Sequence, residues 1–151
     1  MSQLGEILLV EDDPNDVELT LTALSENHLT NKIVVVRDGA EALEYLYRRG
    51  GYESREGGNP TVILLDLKLP KVDGLEVLKR VKSDPDLKTV PVVMLTSSRE
   101  EQDLVECYNS GSNAYVVKPV GFADFVEAVG ELGLFWAVVN QPPPGSTGRT
   151  R

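Results

Sequence analysis

Short, wholly apolar runs alternate along this chain with longer stretches that carry apolar residues at helical spacing. Ile7–Val10 is too short for a helix and long enough for a buried strand, and it stops abruptly at Glu11, Asp12 and Asp13. Asp13 can cap the helix that follows, Pro14 suits its first position, and Val17, Leu21 and Leu24 share one of its faces. Ile33–Val36 predicts the second strand, and Asp38-Gly39 turns the chain into a helix through about Arg49 with Ala42, Leu43 and Leu46 inward. Val62–Leu65, the most apolar run, ends in Asp66 and precedes a helix from about Gly74 to the Asp84-Pro85 break. Val92–Leu95 ends in Thr96-Ser97-Ser98, hydroxyls suited to capping a helix over Arg99–Tyr108. Ala114–Val117 ends in Lys118-Pro119, and a last helix runs from about Phe122 to Val138. Between Gly50 and Pro60 there is no periodicity and much glycine, which reads as an enlarged surface loop.

Five strand–helix units predict an α/β fold: a doubly wound, five-stranded parallel sheet of order 2-1-3-4-5 with helices on both faces, because right-handed crossovers leave few other topologies. Residues 1–140 make one domain, and 141–151, rich in Pro, Gly, Ser and Thr, are expected to be a disordered tail. At 151 residues there is length for one ordinary core and, on this reading, none for an output domain.

Charge changes the picture. With 15 Lys and Arg against 24 Asp and Glu, the net charge is −9, which disfavours binding to nucleic-acid phosphates. No apolar run is long enough to span a bilayer and the amino terminus lacks a secretory pattern, so a cytoplasmic protein without membrane contact is expected. Cys107 and His28 are each the only residue of their kind, which excludes a disulfide, a CxxC pair and a histidine-based triad.

The remaining polar residues fall where such sheets place their sites, at the carboxyl ends of the strands. Glu11 and Asp12 end the first strand, Asp66 the third, Thr96 the fourth and Lys118 the fifth. Three converging carboxylates repel one another, and a divalent cation or a lysine relieves the repulsion. Mg2+ fits this donor set, since it prefers hard oxygens and binds through one or two carboxylates plus phosphate oxygens. Glu11, through water, and Asp12 would be its ligand pair, with Asp66 the third. An aspartate between Mg2+ and a lysine can attack a phosphoryl group and form an acyl phosphate, and Thr96 can donate to the new phosphoryl oxygens. No GxxxxGK[ST] loop occurs, and acids stand where a dinucleotide-binding turn needs glycines.

Taken in order, Leu-Val-Glu-Asp-Asp, Ile-Leu-Leu-Asp-Leu-Lys-Leu-Pro-Lys-Val-Asp-Gly, Met-Leu-Thr-Ser and Tyr-Val-Val-Lys-Pro resemble the receiver domain of two-component response regulators over Glu6–Val138. That resemblance implies a flavodoxin-like receiver in which Asp66 is the phosphoacceptor, Glu11 and Asp12 the acidic metal pocket, and Lys68 a further ligand through its backbone carbonyl. It also implies that Thr96 and Lys118 hold the phosphoryl group and that Tyr115 is the aromatic switch. The enlarged loop and the Phe135-Trp136 ending resemble small regulators paired with cyanobacterial and bacterial phytochrome histidine kinases. The donor would be a sensor histidine kinase or a phosphotransfer protein, and the readout contact with a downstream protein. Leu134, Phe135 and Val138, apolar on the outer side of the last helix, suggest a homodimer contact. Two other readings stay open: a degenerate receiver used as a scaffold, and an Mg2+-dependent aspartyl-nucleophile phosphatase. The second lacks an acid two residues beyond Asp66, where Lys68 stands.

Overall fold

The structure is a computed structural model and describes residues 5–26, 32–97 and 100–117. Its elements are β1 (Ile7–Val10), α1 (Pro14–Glu26), β2 (Ile33–Val36), α2 (Gly39–Tyr47), β3 (Val62–Leu65), α3 (Gly74–Ser83), β4 (Val92–Thr96), α4 (Glu101–Asn109) and β5 (Ala114–Val117). The strands are parallel and ordered β2-β1-β3-β4-β5, the order expected.

The apolar runs are strands because they are buried on both faces. Every residue of β1 and β3 is buried, whereas the edge strand β2 is mostly half-buried. Alternate side chains serve two cores. Leu8, Val10, Ile63, Leu65, Val92 and Met94 pack with α2, α3 and Cys107 of α4, while Ile7, Leu9, Val62, Leu64, Val93 and Leu95 pack with α1 through Val17 and Leu24. Helices therefore cover both faces.

Capping fixes where the helices begin. The Asp13 carboxylate accepts from Asn15 N–H at 2.9 Å, Asp38 from Glu41 N–H at 2.7 Å and Asp73 from Glu76 N–H at 3.0 Å. Helix α4 departs from the expected start: Glu101 opens it, and Glu100 is the N-cap, whose side chain does not cap the helix. The carbonyl of the extended Glu100 accepts from Asp103 and Leu104 N–H, so helical geometry begins only after it. Acids at Glu101 and Asp103 then complement the helix dipole.

The Gly50–Pro60 segment is also more ordered than a bare surface loop. Helix α2 ends at Tyr47 instead of about Arg49, because Arg48 takes a left-handed cap with φ 58° and its N–H returns to the carbonyls of Glu44 and Tyr45. The Arg48 guanidinium donates to the carbonyls of Arg55 and Gly57. After a 3-10 turn at Gly50–Tyr52, the Tyr52 hydroxyl donates to Glu41 Oε2 at 2.6 Å and its ring meets Tyr45 edge-on, with centroids 5.1 Å apart. Arg55 stacks 4.0 Å from the Tyr45 ring centroid and Pro60 is buried.

Lys118, the helix expected over Phe122–Val138 with Leu134, Phe135 and Val138, His28 and the tail 141–151 lie outside the described residues. Among those described, no helix is long and apolar enough to cross a membrane.

Candidate functional site

Register builds the site. Val10 pairs with Leu65, and Asp66 N–H donates to the Val10 carbonyl at 3.1 Å while Glu11 N–H donates to that of Val36 at 3.0 Å. The next residues of two adjacent central strands, Glu11 and Asp66, therefore emerge side by side at the carboxyl edge of the sheet. Thr96 ends β4 opposite Val117, the last residue of β5, and Tyr115 pairs with Met94.

Glu11, Asp12 and Asp66 each present a carboxylate oxygen, and these oxygens lie within 4.8 Å of one another. Glu11 and Asp66 are buried, at 2% and 8% exposure, and Asp12 is exposed. This geometry brings three negative charges to one rim, two of them largely removed from water, where Coulomb repulsion is weakly screened. Backbone donors hold two of the carboxylates: Asp13 N–H donates to Glu11 Oε2 at 3.2 Å and Lys68 N–H to Asp66 Oδ1 at 3.3 Å. The all-oxygen donor set fits a hard divalent cation of the Mg2+ type.

Beside the cluster, Asp12 and Lys68 border an open cleft of about 460 Å³ whose lining also includes Pro70, Asp73 and Asp103. Asp103 comes from α4, and pattern reading did not select it, because nothing in a helical acid shows that its helix end faces a cleft. Gly39 and Gly74 were also missed as site residues. A Cβ on Gly74 would lie 2.1 Å from the carbonyl oxygen of Asp66, so only glycine lets α3 start directly against the phosphoacceptor candidate's backbone. Its place in the Val-Asp-Gly run was the available signal. Cys107 stands apart: it is fully buried, and burial together with Asp103 and Glu106 pushes its thiol up to about 11, away from nucleophilic chemistry.

A parallel sheet of this order with an acidic triplet at its carboxyl edge defines the receiver class of signalling domains. The chain belongs to the response regulator receiver domain family, which it matches over residues 7–130. Among its relatives, Response regulator Rcp1 of Synechocystis sp. (strain ATCC 27184 / PCC 6803 / Kazusa) is 40% identical over 130 residues, covering 86% of this chain and 87% of that protein. The solved structure of the Mn(2+)-bound form of Rcp1 aligns with a TM-score of 0.86 at 38% identity, over 92% of this chain and 99% of that one. The bacteriophytochrome response regulator RtBRR is 63% identical, with a TM-score of 0.76 over 95% of this chain and 87% of that one. The phosphorylated cyanobacterial phytochrome response regulator RcpA aligns with a TM-score of 0.87 at 39% identity, over 94% of this chain and 99% of that one. The chain is thus similar to regulators of the phytochrome-associated group.

Proposed function

We propose that this protein is a phosphoryl-accepting response regulator with Asp66 as the acceptor. The observation that carries the reading is the convergence of the Glu11, Asp12 and Asp66 carboxylates within 4.8 Å at the ends of β1 and β3. A carboxylate oxygen of Asp66 attacks the phosphorus of a phosphohistidine on a sensor histidine kinase or phosphotransfer protein. The P–N bond breaks, the imidazole leaves with a proton from solvent, and an aspartyl phosphate remains.

Glu11, Asp12 and Asp66, with the Lys68 carbonyl, would hold Mg2+, which when bound neutralises charge on the phosphoryl oxygens. The Mn(2+)-bound form of Rcp1 supports that assignment. By family resemblance the Thr96 hydroxyl would donate to the phosphoryl group and the Lys118 ammonium would pair with it, while Tyr115 would take the space that Thr96 leaves. The face formed by α4, β5 and the last helix would then change shape and alter contacts with a downstream protein. Phosphorylation and dephosphorylation of Asp66 are the only reactions ascribed to the chain. The phytochrome names of RcpA and RtBRR support a phytochrome-type histidine kinase as donor, in a reaction that would take place in the cytoplasm. The Leu134, Phe135 and Val138 pattern supports a homodimer.

Incubation with acetyl phosphate and Mg2+ followed by intact mass measurement tests the reading. Wild-type protein should gain one phosphoryl group, and Asp66→Asn or wild type in excess chelator should gain none. Wild-type protein that stays unmodified overturns it.

A further inference from the structure

The loop between β3 and α3 carries Lys68, and its apex rests on a helix that contributes nothing to the acidic cluster. Gly39, the first residue of α2, donates its N–H to the Pro70 carbonyl at 3.4 Å. Asp38 caps α2 with one carboxylate oxygen and places the other 3.7 Å from Lys71 Nζ. Lys71 itself takes φ 69°, a left-handed conformation uncommon for a residue with a side chain, which turns the apex over the helix end. A Cβ on Gly39 would lie 1.7 Å from the carbonyl oxygen of Val72 and 2.6 Å from its carbonyl carbon. These are backbone atoms with no rotamer to swing aside. The apex would have to retreat by more than an ångström.

The other end of the loop is held in the same way. Gly74 N–H donates to the Leu67 carbonyl at 2.8 Å, and Gly74 abuts the Asp66 carbonyl. The segment between Asp66 and Gly74 is therefore pinned at two places where only a hydrogen fits, one at the start of α3 and one at the start of α2. Lys68 lies between them, its N–H on Asp66 Oδ1.

We infer that Gly39 is a positioning residue for the phosphoacceptor loop: by admitting the Val72 carbonyl against the start of α2, it sets where Lys68 and Asp66 present their oxygens. Its functional readout rests on the Mg2+ and Asp66 reading above. Gly39 lies outside the set of residues that would hold the cation and the phosphoryl group, and it acts through the loop backbone.

The test compares full-length wild type, Gly39→Ala, Asp38→Asn and two controls. Gly51→Ala adds a Cβ that meets nothing within 4 Å. Leu24→Ala opens the core on the opposite face of the sheet, lowering stability without touching the loop. Mg2+ affinity is read by calorimetry and amide hydrogen exchange of residues 67–73 in the metal-free protein. Gly39→Ala should bind Mg2+ about 10- to 100-fold more weakly, the usual effect of disturbing groups that support metal ligands, and its loop amides should exchange faster. Asp38→Asn, which keeps a cap but loses the ion pair, should shift both in the same direction by less. It carries the test if Gly39→Ala fails to fold.

Wild-type Mg2+ affinity and loop exchange in the folded glycine variant, or in Asp38→Asn where that variant alone folds, would overturn the inference. So would an equal loss of affinity in Leu24→Ala. If wild type itself binds no Mg2+, the phosphoacceptor reading fails, while loop exchange in the metal-free variants still decides whether Gly39 holds the loop.

Discussion

Replacing Arg55 by methionine should separate the enlarged loop from the proposed Asp66 site. Arg55 stacks on Tyr45 at 4.0 Å, donates from Nε to the Tyr45 carbonyl at 2.9 Å and from Nη1 to the Gly58 carbonyl at 3.3 Å, and lies 3.8 Å from Glu6 Oε1. Its side chain is 8% exposed, and burial with the neighbouring Arg48 lowers its pKa while Glu6 opposes the shift. Loss of the two charged hydrogen bonds costs about 3–6 kcal/mol and loss of the stacked cation about 0.5–2 kcal/mol. Against this, Nη2 is buried without a partner, and removing such a donor returns about 1–3 kcal/mol. Methionine keeps the apolar stem in place.

The balance is a net loss of about 3–4 kcal/mol, or roughly 6–16 °C in Tm for a chain of this size. Circular-dichroism melting measures it, alongside the rate of labelling by acetyl phosphate. That rate should be unchanged, because Glu6 precedes β1 whereas Asp66 follows β3, so the two clusters lie at opposite ends of the sheet. An unaltered Tm would refute the view that Arg55 anchors the loop, and slower labelling at an unaltered Tm would refute the separation of loop and site.

Tyr52 predicts a pH dependence: its hydrogen bond to Glu41, its burial and the charges of Glu41 and Glu44 raise the phenol from 10.0 to about 12. The folded pKa is raised, so this contribution is complete below pH 10 and is lost as pH climbs toward about 12. Urea unfolding across that range should show the loss in wild type relative to Tyr52→Phe, and parallel curves would count against the Glu41 bond. For self-association, Phe135→Asp should weaken any homodimer by about 10-fold or more, as expected for a charge placed in an apolar contact. Sedimentation equilibrium measures this, and an unchanged monomer–dimer equilibrium would remove Phe135 from the interface.

Much of the fold is legible in the residue pattern because strands buried on both faces announce themselves as unbroken apolar runs. The acids that end β1 and β3 stop those runs at the edge where the sheet opens. Capping by Asp13 and Asp73 is equally local, since the donor lies two or three residues away. The less legible features depend on contacts distant in sequence. Glycine-rich composition hid the ordered Gly50–Pro60 segment, whose order comes from Arg48, Tyr52 and Arg55 folding back on α2. The start of α4 was misplaced because hydroxyls at Thr96, Ser97 and Ser98 favour a cap without fixing how far the chain travels before it turns. Gly39 reads as a turn residue, and its contact with Val72 depends on how α2 and the β3–α3 loop pack.

The most direct test of the central claim locates the modified atom. After treatment with acetyl phosphate and Mg2+, borohydride reduction converts an aspartyl phosphate into homoserine, which peptide sequencing by mass spectrometry assigns to a position. Homoserine is expected at residue 66 and nowhere else. Reduction at Asp12 or Asp13 instead, or an adduct that survives borohydride unreduced, would contradict it.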